Sequence, residues 1–311
     1  MPRETMTLMA ERPTLPNPLI FDRDLVRVRR RRAASMGPAT FLLDRVAADL
    51  ADRLATVLRR FELALDLGTP HEALRAALAR IGTVGTIVRA TTIATGVPVQ
   101  PFVVADEEAL PFRDAAFDLV VSALALQFVN DLPGALVQIR RALKPDGLFL
   151  AALLGGETLT ELRQSFAAAE SDIEGGASPR VAPFADLRDL GALLQRAGFA
   201  LPVTDSDRVT VRYDSAFTLM HDLRRMGATS ALIERRPLPL RRATLMRTAQ
   251  IYAERFSDDD GRVRATFEIL WLSGWVPHPS QQQPLKPGSA KARLAEALGA
   301  REISTGEKAG G

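Results

Sequence analysis

FELALDLGTPHE, residues Phe61–Glu72, is the stretch of this sequence that decides the fold. Its apolar first half runs into Asp66 and Gly68, a pattern that predicts a buried strand ending at a tight turn. In α/β folds that hold a cofactor at this point, small residues follow the strand, because backbone N–H groups then approach the ligand at a helix N-terminus. Here the residues TPHE, Thr69–Glu72, follow instead. The stretch therefore predicts an α/β fold with an unusual first turn.

The TPHE turn supports two interpretations. In the first, Thr69 caps a helix and Glu72 closes a capping box, with Pro70 at the first helical position. In the second, the turn still faces a cofactor, with one N–H donor lost at Pro70. Glu72 would then lie near the cofactor carboxylate, so His71 or a nearby arginine would have to offset two like charges.

Downstream of this turn, apolar segments of strand length alternate with segments of helical periodicity. This alternation predicts an α/β, Rossmann-like fold with a mostly parallel seven-stranded sheet, helices on both faces and a helical insertion, about residues 214–256, before the last strand. The predicted strands are Leu63–Leu67, Val84–Arg89, Val99–Val104, Phe117–Ser122, Leu148–Leu153, Val209–Tyr213 and Ala265–Leu272. The predicted helices between them are Glu72–Arg80, Leu132–Leu143 and Ala185–Ala197.

The composition of the segments predicts four regions. Residues 1–18 carry several prolines and few large apolar groups, which is typical of a flexible tail. Residues 19–60 have helical periodicity, and residues 61–276 form the predicted α/β domain. Residues 277–311 are rich in proline and glutamine and need no core of their own.

The overall composition excludes several classes of protein. The chain has 311 residues, 47% of them hydrophobic and 25% charged, as expected of a globular protein with a full core. No apolar run is long enough for a transmembrane helix, and no signal-peptide pattern is present, so export is not expected. Zero cysteines exclude disulfides and thiolate ligands, and three scattered histidines argue against a histidine metal site. We expect no metal.

Arginines cluster in the predicted N-terminal helix, in the segment Arg27–Arg32, although the net charge is only +3. One interpretation is the solvated face of a helix. The other is peripheral contact with an anionic membrane. The cluster has no interleaved aromatic residues to stack on bases, so a nucleic-acid partner is not expected.

Longer motifs extend from Ile20 to Ala290, and those at Gly155–Arg163 (GGETLTELR), Glu174–Arg180 (EGGASPR) and Pro287–Ala290 (PGSA) are the most specific. Together they resemble the methyltransferase-like assembly factors of respiratory complex I in mitochondria and alphaproteobacteria and, more distantly, malonyl-ACP O-methyltransferases. The other segments that carry the resemblance are Ile20–Leu25, Leu63–Gly68, Ala105–Phe112, Phe117–Leu136, Asp189–Phe199, Asp222–Leu232 and Gly274–Ala290.

The resemblance implies a class I methyltransferase fold and a protein partner in complex I maturation. In the mitochondrial member, the reaction is hydroxylation of an arginine on an iron–sulfur subunit. The implied location is the bacterial cytoplasm, at the inner face of the membrane, or the mitochondrial matrix in a eukaryote. The implied cofactor is S-adenosylmethionine.

The resemblance also implies a pocket at the carboxyl ends of the first four strands, with Asp106 near the adenine. An exposed acidic loop is the alternative for Asp106 and Glu107. No catalytic residue is identified. The expected cofactor-binding residues are Asp66, Gly68, Thr91, Asp106, Glu107, Leu126 and Gln127.

Three departures from the family pattern bear on function: the TPHE turn, Thr91 in place of the ribose-binding acid, and Gln127-Phe128 in place of a His-Trp pair. A threonine cannot hold a diol as a carboxylate does. The sequence is consistent with an assembly factor that acts on a protein partner, with S-adenosylmethionine-dependent activity. The alternatives are a methyltransferase for a small acid, acyl carrier or protein, and a non-catalytic assembly scaffold.

Overall fold

The computed structural model describes residues 19–94, 99–184, 186–281 and 299. The chain forms two compact units, Met1–Pro277 and His278–Gly311. In the second unit only residues 278–281 and 299 are described, and there Nδ1 of His278 hydrogen-bonds Oγ of Ser280 at 2.7 Å. All further elements belong to the first unit.

The first unit is built on a seven-stranded sheet in the order β3-β2-β1-β4-β5-β7-β6. Strands β1 to β5 pair in parallel, and β7 pairs antiparallel with both β5 and β6. This arrangement confirms the predicted mostly parallel sheet. The strands are β1 (Phe61–Leu67), β2 (Val84–Thr91), β3 (Phe102–Val104), β4 (Phe117–Ala123), β5 (Leu143–Leu154), β6 (Ala200–Tyr213) and β7 (Val263–Trp275).

Helices cover both faces of the sheet, as predicted, because successive strand residues point to opposite sides. Ala64 and Leu119 pack into one apolar cluster, and Leu65 and Val120 into the other. Helices α2, α3, α5, α7 and α8 pack into the first cluster, and α4 and α6 into the second. The helices are α1 (Arg23–Ser35), α2 (Phe41–Ala55), α3 (Ala73–Leu78), α4 (Leu132–Ala142), α5 (Thr160–Glu174), α6 (Leu187–Arg196), α7 (Ala216–Arg225) and α8 (Arg242–Phe256).

Several element boundaries differ from the predictions. Strand β3 has three residues rather than six, and β6 begins at Ala200 rather than Val209. Strand β6 is an edge strand with one exposed face, so exposed and half-buried residues alternate along it. It therefore has no apolar run from which its full length could be predicted. The insertion consists of α7 and α8, with residues 226–241 non-helical between them.

Helix α5 is absent from the predicted elements. Its N-cap, Leu159, has a left-handed conformation with φ of 56° and makes no side-chain capping bond. A helix that starts without Ser, Thr, Asp or Asn gives no sequence signal for its N-terminus. The tail predicted over 1–18, the Pro287–Ala290 motif and most of 277–311 lie outside the described residues.

Candidate functional site

The carboxyl ends of β1, β2 and β4 meet at the turn that follows β1. The N–H of Gly68 donates to the carbonyl oxygen of Ala90 at 2.7 Å, and Gly68 has φ of +73°, which glycine adopts without steric cost. The N–H of Ala123 donates to Oγ1 of Thr69 at 3.0 Å, and the Ser122 hydroxyl donates to the carbonyl of Leu67 at 2.8 Å. These bonds tie the turn to the two neighbouring strands.

The capping-box interpretation of the turn is wrong. Thr69 bonds the end of β4 instead of a helix, and Glu72 is itself the N-cap of α3, without a side-chain capping bond. Arg89, 3% exposed at the end of β2, donates to Oε1 of Glu72 at 2.7 Å and to the carbonyl of Thr69 at 3.0 Å. A buried guanidinium requires a counter-ion, and this requirement outweighs the benefit of capping a six-residue helix. Arg89 is therefore the arginine that offsets the charge of Glu72.

Asp66 is fully buried beside this turn. Neither of its carboxylate oxygens accepts a well-formed hydrogen bond within the described part of the chain, although the side chain of Thr69 lies close enough to interact with the carboxyl group. Burial raises the pKa of Asp66 to about 7, although Thr69 and Arg89 act to lower it. Near neutral pH this carboxyl therefore exists in both protonation states.

Helix α1 covers the acidic segment that follows β3. Arg23 donates to Oδ1 of Asp106 at 2.7 Å and also to Glu107, and Arg27 donates to Oδ2 of Asp106 at 2.7 Å. Arg30 is buried, with Nη1 3.6 Å from Oε1 of Glu107. Burial opposes ionisation of Asp106, but the N–H of residue 108 and the guanidinium groups of Arg23 and Arg27 hold its pKa below the ordinary value. Asp106 and Glu107 thus form ion pairs rather than an exposed acidic loop.

Most arginines of the segment Arg27–Arg32 contact other parts of the chain, which neither the solvated-face nor the membrane interpretation predicts. Arg27 and Arg30 contact the acidic segment, and Arg29 donates to the carbonyl of Thr229 at 2.7 Å. Arg31 and Arg32 are exposed, and contact of the segment Arg27–Arg32 with a membrane stays a prediction. The spacing of residues 23, 27 and 30 places them on one helix face, a signal that is present in the sequence but is obscured by the neighbouring arginines of the same charge run.

S-adenosylmethionine does not fit the predicted cofactor site in the conformation described. A Cβ added to Gly68 would lie 2.7 Å from Oε1 of Glu107 and 2.9 Å from Cβ of Ala125, so the space over the glycine is filled. The unpartnered carboxylate oxygens of Asp66 suit the ligand's cationic groups. However, Asp66 and Glu107 are fully buried, and Arg23 holds the acidic segment that would receive the adenine.

The remaining predicted residues lie at different places around this edge. Thr91 ends β2 and borders a small void together with Pro70 and His71. Gln127 belongs to the 3₁₀-helix Leu126–Phe128 and lines a large cavity of about 460 Å³, which also contacts Pro70 and His71. Leu126 is 1% exposed and packs in the core beneath the sheet edge.

Within the described residues, no three His, Cys, Asp or Glu side chains are grouped so as to hold a metal ion. No helix there has both the length and the apolar character needed to cross a membrane.

Comparison with known proteins agrees with this geometry. The family model for a methyltransferase domain matches residues 65–151. A solved protein of Bacillus halodurans C-125, described as a methyltransferase, shares the fold with a TM-score of 0.51 at 16% identity, over 74% of this chain and 99% of that one. A malonyl-[acyl-carrier protein] O-methyltransferase of Xylella fastidiosa (strain M23) is 39% identical over 172 residues, 55% of this chain and 56% of the relative.

A match that extends well beyond the methyltransferase domain is to the mitochondrial arginine-hydroxylase NDUFAF5 of Homo sapiens. The two sequences are 42% identical over 288 residues, which is 89% of this chain and 83% of the human protein. The resemblance inferred from the sequence motifs is confirmed by this match. With such identity over nearly its whole length, the chain belongs to the NDUFAF5 arginine-hydroxylase family, within the class I methyltransferase fold.

Proposed function

We propose that this chain acts on a protein partner during maturation of respiratory complex I, and that it receives the guanidinium group of an arginine from an iron–sulfur subunit. The name of the human relative, an arginine-hydroxylase, supports this choice of target. Hydroxylation inserts one oxygen atom into a C–H bond. Molecular oxygen and a two-electron reductant therefore have to enter with the substrate, and the second oxygen atom leaves as water. The place of action is the compartment in which these subunits mature, the bacterial cytoplasm or the mitochondrial matrix.

One observation carries the proposal: the sheet edge holds buried carboxylate oxygens without hydrogen-bond partners. Within the described residues they are both oxygens of Asp66, Oε2 of Glu72 and Oε1 of Glu107, the last of which lies 3.6 Å from Nη1 of Arg30. Each unpaired buried acceptor costs about 1–3 kcal/mol. A guanidinium presents five donors in a planar fork and pairs well with carboxylates. These oxygens therefore suit an arginine side chain of a partner.

The same oxygens also suit the ammonium and sulfonium groups of S-adenosylmethionine. Either ligand needs α1 to move, because Arg23 and Arg30 cover the buried carboxylate of Glu107. We propose that S-adenosylmethionine binds only after this movement. Calorimetric titration with S-adenosylmethionine and S-adenosylhomocysteine tests this: the wild-type Kd is expected to be weaker than about 100 μM, or roughly −5.5 kcal/mol, and Arg23→Gln is expected to bind more tightly. Tight wild-type binding would contradict the proposal.

The test of the main proposal is deletion of the gene in its source cell, followed by mass spectrometry of the complex I subunits. We expect one arginine to lose the mass of one oxygen atom, and assembled complex I to decrease on native gels. Re-expression of the wild-type chain should restore both, and Asp66→Asn should not. Asp118→Asn is the matched control, because Asp118 accepts from the N–H of Leu63 at the opposite end of β4. Normal modification in the deletion strain would refute the proposal.

A non-catalytic assembly scaffold is the second candidate. The ion pairs between α1 and the acidic segment favour it, because they close the position that a methyltransferase leaves open for its cofactor. Under this alternative, Asp66→Asn would restore complex I assembly in the deletion strain, and no subunit would differ in mass. Loss of a methyl group rather than oxygen would instead indicate methyl transfer.

A further inference from the structure

The cavity of about 460 Å³ lies between α2, α5, α7 and the residues that follow α7. Its volume falls within the range of about 300–1,000 Å³ that is usual for small-molecule sites. Most of its wall is apolar, and the large apolar side chains that form it include Leu42, Leu162, Phe166, Met220, Leu223 and Phe267. A cavity with such walls favours an aliphatic or aromatic occupant.

The charged side chains that line the cavity are arginines: Arg30, Arg180 and Arg224. No carboxylate of the described residues lines it. Burial, together with the charges of two arginines, lowers the pKa of His71, so this histidine is neutral at physiological pH. The cavity is therefore basic, whereas the neighbouring sheet edge is acidic.

The counter-ions of two of these arginines do not line the cavity. Arg30 faces Glu107, and Arg180 donates to Glu170 at 2.7 Å. Arg224 is exposed and makes no ion pair within the described part of the chain. An anionic group at the cavity entrance would therefore meet a cation that is not already neutralised.

Four polar groups that line the cavity have buried atoms without hydrogen-bond partners in the described residues: Nη2 of Arg30, Oε1 of Gln127, Oγ1 of Thr229 and Oγ of Ser230. Arg30 is 8% exposed, so its free N–H group is an unpaired donor in a low-dielectric place. Such donors and hydroxyls are usually satisfied by a ligand or by water. They are a second indication, independent of charge, that the cavity receives a polar head.

We propose that this cavity binds a single-chain amphiphile whose aliphatic chain ends in a carboxylate, as in a fatty acid. The apolar wall would hold the chain, and the arginines with the two hydroxyls would receive the head. A guanidinium or ammonium head would enter without a counter-ion, which is costly in a buried site. The cavity adjoins the acidic edge assigned to the partner's arginine, with Arg30 between them, but its charge is of the opposite sign. This proposal therefore goes beyond the proposed function.

The carboxylate is expected at the turn that ends α7. There the N–H of Gly227 donates to the carbonyl of Arg224 at 3.1 Å, and a Cβ on Gly227 would lie 3.2 Å from Cα of Arg30. The backbones of Arg30 and Arg224 therefore both lie next to Gly227. A head bound here would use the unpartnered Nη2 of Arg30 and the exposed guanidinium of Arg224.

Calorimetric titration of the full chain with decanoate, decanol and decyltrimethylammonium tests the proposal, since these probes differ in head charge and share a chain length. We expect decanoate to bind at least about tenfold more tightly than the cationic probe, given the strength of charge-assisted hydrogen bonds. Equal binding of the anionic and cationic probes, or no binding of decanoate below its micelle concentration, would overturn the proposal.

Variants locate the binding. Arg224→Met should weaken decanoate binding about tenfold, whereas Arg255→Met, an exposed arginine outside the cavity, should leave it unchanged. Leu162→Trp should abolish decanoate binding, because the larger side chain fills the cavity. A cooperative thermal unfolding transition of this variant would show that it still folds. Unchanged affinity in both Arg224→Met and a folded Leu162→Trp would place the ligand elsewhere and refute the assignment. The readout is binding alone, so loss of the proposed complex I function would not affect it.

Discussion

Replacing Asp66 by asparagine removes an ionisable group from a place where the folded protein disfavours its charge. Asp66 is fully buried, and neither oxygen has a hydrogen-bond partner among the described residues. Burial raises its pKa from 3.8 to about 7. Arg89 and Arg75 act to lower this pKa, and Glu72 acts to raise it. The asparagine variant keeps the side-chain volume and cannot ionise.

The magnitude follows from proton linkage. Because the folded-state pKa lies above the unfolded value, the folded state binds more protons between the two, and stability falls as pH rises from 3.8 to about 7. One pKa unit corresponds to about 1.4 kcal/mol, so the whole loss is about 4 kcal/mol, of which about 3 kcal/mol falls between pH 5 and pH 8. The asparagine variant does not have this loss, and any cost of its amide group is independent of pH.

Urea unfolding at pH 5 and pH 8 measures the effect. We subtract the free energy of unfolding of wild type from that of Asp66→Asn at each pH. This difference should be about 3 kcal/mol larger at pH 8 than at pH 5, and the m-values should not change. Asp118→Asn is the control of opposite sign, since bonds from Lys144 and the N–H of Leu63 hold the pKa of Asp118 below its ordinary value despite some burial. That variant should lose stability relative to wild type above pH 4. A pH-independent difference for Asp66→Asn would refute the reasoning.

The other predictions concern the turn after β1 and the contacts of α1. Arg89→Met should lower the free energy of unfolding by about 2 kcal/mol, measured in urea, because it removes the buried cation that pairs with the partly exposed Glu72; a loss below about 0.5 kcal/mol would contradict this. Gly68→Ala should cost about 1–3 kcal/mol in thermal unfolding, and Gly37→Ala, which has a similar φ of +76° but nothing within 4 Å, should cost less; equal losses would exclude the close contact as the cause. Arg23→Gln should speed hydrogen exchange of α1 amides, whereas Arg31→Gln, on the exposed face, should not.

Much of the fold could be predicted from the sequence because its signals are local. The apolar run Phe117–Ser122 and the alternation of strand and helix segments correctly predicted a mostly parallel sheet with helices on both faces. Motifs distributed along the chain identified the family, later confirmed at 42% identity. Helix α5 and the length of β6 were missed, because the first lacks a capping residue and the second is not apolar.

The site depended on contacts between distant residues. Arg23 and Asp106 are 83 positions apart, and Arg89 and Glu72 are 17 apart. Local spacing around the TPHE turn satisfied the rules of a capping box, but it could not reveal that a buried guanidinium on the next strand would take Glu72 as its partner. Such pairing depends on which strands are neighbours and on how deeply they are buried.

The sequence by itself therefore determined the mostly parallel sheet with helices on both faces, the family and the positions of the acids that follow the strands. Only the tertiary structure decided the charge state and the partners of those acids. Hydrophobic periodicity is written along the chain, so it can be read without a structure. Desolvation and ion pairing depend on three-dimensional distances, which the sequence does not show. In the folded chain, burial raises the pKa of Asp66, and Arg23 pairs with Asp106. The same folding leaves a basic cavity beside the acidic sheet edge.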